Sequence, residues 1–454
     1  MRNGPARLSI HNLEGLVGED DIDTVLVVFT DMQGRLQGKR FDARHFLAEV
    51  VENDTEGCSY LLAVDVDMNT VAGYEMSSWE TGYGDFVMRP DLRTMRLMPW
   101  HRKTVVCQAD LLWEDGSAVP AAPRQILKNQ AARLAERGWV GLVATELEFI
   151  VFESSYEDAW DRAYRDLTPA NRYNVDYSIL GTSRVEPLLG RIRREMSDAG
   201  MWVESVKGEC NFGQHEMAFR YDELVTKADE HALFKTGAKE IASQEGCSIT
   251  FMAKYNEREG NSCHIHLSLR DRSGAPLFAG DGQHGMSELF EQFLAGMLAC
   301  TADLTLLLAP NINSYKRFAD GSFAPTALAW GRDNRTCSFR IVGHGESIRV
   351  ECRVPGGDVN PYLAIAALVA GGLYGVDNSL ELEPELVGNA YTSGAPRLPR
   401  TIRAAADRFG ESEVAKQAFG TRVVEHYRNM AEVELRNFES TVTDWERFRS
   451  FERM

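Results

Sequence analysis

Three short segments alternate ionisable and apolar residues with a period of two, the pattern of a strand whose two faces differ. In Thr145–Phe152, Glu146 and Glu148 share one face while Leu147, Phe149 and Val151 take the other. In Cys263–Leu269, His264, His266 and Ser268 oppose Cys263, Ile265, Leu267 and Leu269. In Ile348–Val354, Arg349, Glu351 and Arg353 oppose Ile348, Val350, Cys352 and Val354. For any one segment the alternative is a half-exposed sheet with a solvated polar face. Solvated faces mix Lys, Thr, Ser and Gln, whereas these carry Glu, His, Arg and a single Ser. Carboxylate and imidazole suit Mg²⁺ or Mn²⁺, and guanidinium forks suit phosphoryl oxygens. Glu209 and Glu216 flank a turn-like Asn211–Gly213, which would aim both acids at a common point. Arg332, Arg335 and Arg340 form a basic cluster downstream of Ser314–Arg317. Alone, the acid pair reads as surface charge, and the arginines as a basic loop.

The elements that must position these residues are partly readable. Thr24–Thr30 is β-rich, the Asp31–Gly34 stretch is turn-like, and Arg35–Phe41 follows as a second strand. A helical piece, Arg44–Glu52, and an apolar strand, Leu61–Val66, continue a β-rich N-terminal unit. It is expected to cover residues 1–112, with the polar Trp113–Ser117 and the Pro120/Pro123 pair closing it, and a larger unit to cover 118–454. After Pro123, apolar residues recur at helical spacing until Gly138. Segments Ser154–Val175 and Tyr255–Gly260 read as loops over a site, and Ile402–Met454 as charged amphipathic helices. No internal repeat is present, so an array is not expected.

Composition limits the partners. With 49 Lys+Arg against 67 Asp+Glu, the formal charge is −18, which repels nucleic acid and anionic membrane. The 454 residues are 44% hydrophobic and 26% charged, ordinary for a soluble globular protein with a large core. The N-terminal stretch lacks a basic and apolar leader pattern, so a cytoplasmic location is expected. Leu363–Val376 is shorter than the roughly 18 residues a membrane span requires and reads as a core helix. Eight cysteines lie far apart without a C-x-x-C pair, which predicts reduced thiols.

Taken in order, the motifs resemble the glutamine synthetase family, the ATP-dependent glutamate–amine ligases. The order is E-x-E, G-Q-x-E, H-x-H, S-Y-K-R, N-R and E-x-R. The likeness extends from Asp31-x-x-Gly-Arg-x-x-Gly-Lys39 and Arg89–Trp100 to Asn360–Ala366 and Trp445-Glu446. It implies an α+β fold: an N-terminal β-grasp domain, and a larger catalytic domain with a curved antiparallel sheet flanked by helices. It implies two or three Mg²⁺ (or Mn²⁺), one held by Glu148, Glu209 and Glu216 and a second by Glu146, His264 and Glu351. Glu204, Tyr221, His266 and Ser268 would contact ATP, with Arg335 and Arg340 on its phosphates. Gly260, Arg317 and Arg353 would bind glutamate, and Arg317, Arg335 and Arg340 would be the catalytic arginines. The implied reaction forms a γ-glutamyl phosphate that an amine then attacks. Family members form two stacked rings of six, so a homododecamer is expected.

The sequence departs from the ammonia-using pattern on the amine side. Phe323 stands where those members carry a glutamate that binds ammonium, and a phenyl ring accepts no proton, although its face attracts cations. Glu259 replaces an asparagine, and Lys207-Gly208 replaces paired histidines. The N-terminal D-G-S-S segment is absent around Gly57–Asp65. With both metal triads intact, the pattern is similar to the γ-glutamylamide ligases, which join glutamate to polyamines, ethanolamine or other primary amines in amine assimilation or detoxification. Glu259, Asp320 or another entrance acid would bind the protonated amine, a solvated loop being the alternative for Glu259. The competing readings are an ordinary glutamine synthetase and a catalytically silent oligomer; buried charges retained without turnover argue against the latter.

Overall fold

The structure, a computed structural model, describes residues 7–454. Its N-terminal sheet contains β1 (Thr24–Thr30), β2 (Leu36–Asp42), β3 (Thr55–Cys58), β4 (Asp85–Pro90), β5 (Arg96–Leu97) and β6 (Thr104–Leu112). Their order is β2-β1-β6-β4-β3, with β5 on β6. β1 is buried along almost its whole length because it lies between the antiparallel β2 and the parallel β6. The β1–β2 turn forms as the sequence indicates: an Asp31 carboxylate oxygen accepts from the backbone N–H of Gln33 (3.0 Å) and Arg35 (2.8 Å). The turn is tied to the larger unit, since the Asn360 amide donates to the carbonyls of Asp31 and Met32. Leu61–Val66 is not the expected strand. Ser59–Leu62 is one turn of 3₁₀ helix, and only Val64 makes an isolated bridge, to Thr70. Leu62, Ala63 and Val64 are buried consecutively, and such a short apolar run does not distinguish a strand from a buried turn.

The second sheet is built from β7 (Trp139–Phe152), β8 (Val203–Gly208), β9 (Gln214–Phe219), β10 (Asp222–Glu223), β11 (Ser248–Thr250), β12 (Cys263–Asp271), β13 (Trp330–Arg332), β14 (Phe339–Val342) and β15 (Arg349–Cys352). The main path is β13-β14-β15-β12-β7-β9-β8, antiparallel except for β13 with β14. One face packs on helices. Leu147, Phe149, Ile265, Leu267, Val350 and Cys352, each 1% exposed or less, point toward that side, and Pro123–Glu136 and Leu224–Gln244 lie against β7.

Helix Glu288–Leu308 is long and apolar enough by composition to cross a membrane, but it is largely buried in the protein core. Its partner is Pro361–Asp377, the expected core helix. Gly296 permits the close crossing, since a Cβ there would stand 2.2 Å from the Gly371 carbonyl oxygen. All eight cysteines are free thiols, as expected.

Candidate active site

Strand register places the acids. His264 of β12 lies opposite Glu146 of β7, and His266 opposite Glu351 of β15. Glu148 lies opposite Glu216 of β9, and Arg340 of β14 opposite Glu351. The three alternating segments are therefore neighbours, and their ionisable faces form one wall. That wall borders a cavity of about 320 Å³. Glu146, Glu148, Glu209, Glu216, His264 and Glu351 all line it. Arg335, Arg340 and Arg353 flank these acids, and Gly260, Glu259, Ser322 and Phe323 come from loops around the cavity.

Glu148, Glu209 and Glu216 converge as expected, each offering a ligand oxygen within 4.8 Å of the others. The Asn211–Gly213 turn leads from Glu209, which directly follows β8, to β9, which carries Glu216, and the Glu209 amide donates to the Gln214 carbonyl at 2.9 Å. Glu148 is aimed by two donors, the Ser262 amide at 2.7 Å and Gln214 Nε2 at 3.0 Å. Burial and the neighbouring Glu209 push the Glu148 carboxyl up to about 7. Burial likewise raises Glu209 and Glu216, the latter also facing Glu146. Three acids that resist ionising together form a donor set that a hard divalent cation fits, because the ion offsets their repulsion and takes oxygen ligands.

The second cluster differs in detail from the expected Glu146, His264 and Glu351. His264 Nδ1 lies 3.4 Å from Glu146 and 3.5 Å from Glu351. The groups whose ligand atoms converge are Glu146 with Glu216 and His264, and Glu146 with His266 and Glu351. His266 thus joins this cluster, its Nε2 2.9 Å from Glu146, because period-two alternation places both histidines beside the same carboxylate. Arg349 Nε donates to His266 Nδ1 at 3.2 Å, which leaves the ring proton on Nε2 facing Glu146. Burial, reinforced by Arg353, lowers His264 to about 4, so its imidazole is neutral near pH 7. Its Nε2 is buried without a hydrogen-bond partner, a ligand-competent state. Burial opposes ionisation of Glu351, but His264, once protonated at acid pH, and the guanidinium of Arg353 prevail and hold it at about 2.

The remaining expected residues separate into two groups. Gly260, Arg335, Arg340, Arg353 and Phe323 line the cavity. Only glycine fits at 260, where a Cβ would meet the Ala253 carbonyl oxygen at 2.2 Å. Phe323 is 57% exposed and takes a positive φ of 57°, its ring contributing no acceptor. Arg317 is buried outside the lining: Nη1 donates to the Val354 carbonyl, and Nη2 to Ser262 Oγ and the Arg353 carbonyl. Glu204, Tyr221 and Ser268 also lie outside the lining. Sequence reasoning missed Asp176, Tyr177 and Cys210, which complete the wall near Glu209. Asp176 and Tyr177 directly follow the Ser154–Val175 segment read as a loop over a site, so the signal stopped two residues short.

A nine-stranded, largely antiparallel sheet carrying two carboxylate-rich clusters beside phosphate-suited arginines defines a glutamine synthetase-type ligase. The family model described as "Glutamine synthetase, catalytic domain" matches residues 120–450, and the chain belongs to that family. It is 64% identical over 447 residues to the gamma-glutamylethanolamide synthetase GlnA4 of Streptomyces coelicolor, covering 98% of this chain and 96% of the relative. It is 37% identical over 444 residues to a glutamate–isopropylamine ligase of a Pseudomonas species, covering 96% of each. Among solved structures, one described as a GmaS/ADP complex superposes with a TM-score of 0.86 at 28% identity, covering 97% of this chain and 99% of that one.

Proposed function

We propose that this chain is an ATP-dependent ligase joining the γ-carboxylate of glutamate to a primary organic amine of the ethanolamine or polyamine type. Ligases of this family use ATP and divalent metals. The observation that carries the reading is the coexistence of both acid clusters with a phenyl ring, in place of a carboxylate, at the Phe323 position of the same cavity. Glu148, Glu209 and Glu216 would hold one ion, and Glu146 and His264, with Glu216 or Glu351, a second. Divalent ions at these sites supply neutralisation of the charge that builds between two anionic reactants. Arg335 and Arg340 bind the nucleotide phosphates, with Glu204, Tyr221 and Ser268 toward its outer part. Arg353 and Gly260 receive glutamate. Arg317 holds Ser262 and the 353–354 backbone in place beneath them. His266 Nε2 stands 2.9 Å from Glu146 and packs beside it. The γ-carboxylate attacks the terminal phosphoryl group, ADP leaves, and the amine nitrogen then displaces phosphate from the γ-glutamyl phosphate. That intermediate hydrolyses readily, so the loop carrying Ser322 and Phe323 serves to exclude water.

The chain acts as an α+β enzyme whose β-grasp domain spans 1–112 and whose catalytic domain spans 118–454, in the cytoplasm, where its eight free thiols stay reduced. In an amine panel with coupled ADP detection, ethanolamine or a polyamine is expected to drive turnover, and ammonium to give little. Phe323→Glu is expected to raise ammonium use relative to the parent. Turnover with ammonium alone would instead establish an ordinary glutamine synthetase.

A homododecamer of two stacked rings is the proposed assembly. The C-terminal helix Asp444–Ser450 and its tail leave Trp445, Phe448 and Phe451 68%, 82% and 93% exposed, an apolar face that a second copy would cover. Deleting residues 442–454 is therefore expected to shift a sizing profile to smaller species while leaving circular dichroism nearly unchanged. An unchanged profile would remove this segment from the interface.

A further inference from the structure

Among the described residues, Lys207 is the one lysine that lines the cavity. Lys207 of β8 is registered against Glu216 of β9. Its ammonium contacts Glu209 and lies 3.9 Å from Glu216. These are two of the three carboxylates that converge with Glu148. The same ammonium stands 4.8 Å from the centre of the Tyr177 ring, on a wall of the same cavity. A lysine head is a compact point charge on a rotatable stem, and here its one recorded position lies between the carboxylates and the face of an aromatic ring. An ammonium on Glu209 and a divalent ion among the same three acids would be like charges a few ångströms apart in a partly buried site. They exclude each other. Glu351 in the neighbouring cluster is different, because two arginines pair with it and no lysine occupies that cluster.

We propose that Lys207 is a resident competitor for the Glu148–Glu209–Glu216 site. Its ammonium holds the three carboxylates together in the metal-free protein, and withdraws toward Tyr177 when a divalent ion enters. The inference rests on the reading of this triad as a metal site. It makes occupancy of the triad weaker than the acids alone would give, since apparent affinity falls with the fraction of molecules whose lysine has withdrawn.

The test is Mn²⁺ titration of the full-length, metal-free protein, with free ion read by electron paramagnetic resonance and thermal midpoints taken with and without Mg²⁺. Wild type is compared with Lys207→Met and Lys207→Arg, and Glu209→Gln identifies the class of sites belonging to the triad. Lys207→Met is expected to tighten that class by roughly tenfold, to lower the midpoint of the metal-free protein, and to regain most of that loss in Mg²⁺. Lys207→Arg, which keeps the charge, is expected to bind no more tightly than wild type. Unchanged or weaker Mn²⁺ binding in Lys207→Met, or tightening in Lys207→Arg, would overturn the competitor role. If Glu209→Gln removes no class of Mn²⁺ sites from wild type, the metal reading of the triad fails as well, and the two failures are thereby separated.

Discussion

Glu146→Gln is expected to lower amine-dependent ADP release by about 10²–10³-fold, the loss typical when one preorganised charge partner of a developing transition-state charge is removed. Glutamine matches glutamate in volume, so packing on β7 is preserved. What changes is charge. His264 Nδ1 and His266 Nε2 both face this carboxylate, at 3.4 and 2.9 Å. Burial opposes the ionisation of Glu146, but hydrogen bonds from these two rings outweigh it and keep the carboxyl below the usual range. It is therefore an anion across the working pH range and a member of both convergent groups beside His264 and Glu351. A neutral amide offers a weaker ligand atom to a hard cation. Rapid-quench measurement of ADP formation separates this chemical loss from slow product release, and a thermal midpoint close to the parent's establishes that the fold is intact. A decrease below tenfold would remove Glu146 from the chemistry.

Arg124→Met is expected to destabilise the protein by about 3–5 kcal/mol, the range found when one partner of a buried ion network is removed. Arg124 is 6% exposed, and its guanidinium reaches three carboxylates: Asp229 at 3.0 and 3.1 Å, Asp91 at 2.9 Å, and Asp110. Tyr362 also donates to Asp229, at 2.6 Å. Asp91 and Asp110 belong to the N-terminal sheet region, whereas Asp229 and Tyr362 come from helices behind the second sheet, so one side chain joins the two parts. Without it, three acids lose a shared countercharge in a buried place. Equilibrium unfolding in urea gives the difference, and a change under about 1 kcal/mol would contradict it. The network also fixes an acid limb. Burial raises the Asp91 carboxyl, but hydrogen bonds from Arg93 and Arg124 prevail and hold it at about 2. Because the folded value is depressed, this stabilisation is present above the ordinary carboxylate range and is lost as pH falls through that range toward 2. Arg124→Met should flatten the acid limb.

The same distinction between local pattern and long-range pairing explains what the sequence made legible. Alternation alone put Glu146 with Glu148 and His264 with His266 on shared faces, since period two is a local property of a strand. The order of motifs carried the fold, and the turn at Asn211–Gly213 was visible from its residues. Register across β7, β12 and β15 was not visible, because it depends on pairings between segments far apart in the chain. His266 was accordingly expected at the nucleotide, while the structure sets it against Glu146. Arg317 shows the same limit: its type suits a carboxylate, but neighbouring carbonyls of β15's C-terminal end and Ser262 occupy its donors. The Leu61–Val66 run failed for the opposite reason, hydrophobicity without enough length to specify an element. Lys207 was visible as a departure from paired histidines, two residues before Glu209, but its closeness to Glu216 emerged only from the β8–β9 register.

Anomalous diffraction from crystals grown with Mn²⁺, ADP and glutamate tests the central claim most directly. The expected map has one peak among Glu148, Glu209 and Glu216 and a second beside Glu146 and His264. Peaks confined to other sites, or no peak within ligand distance of these six side chains at saturating Mn²⁺, would contradict it.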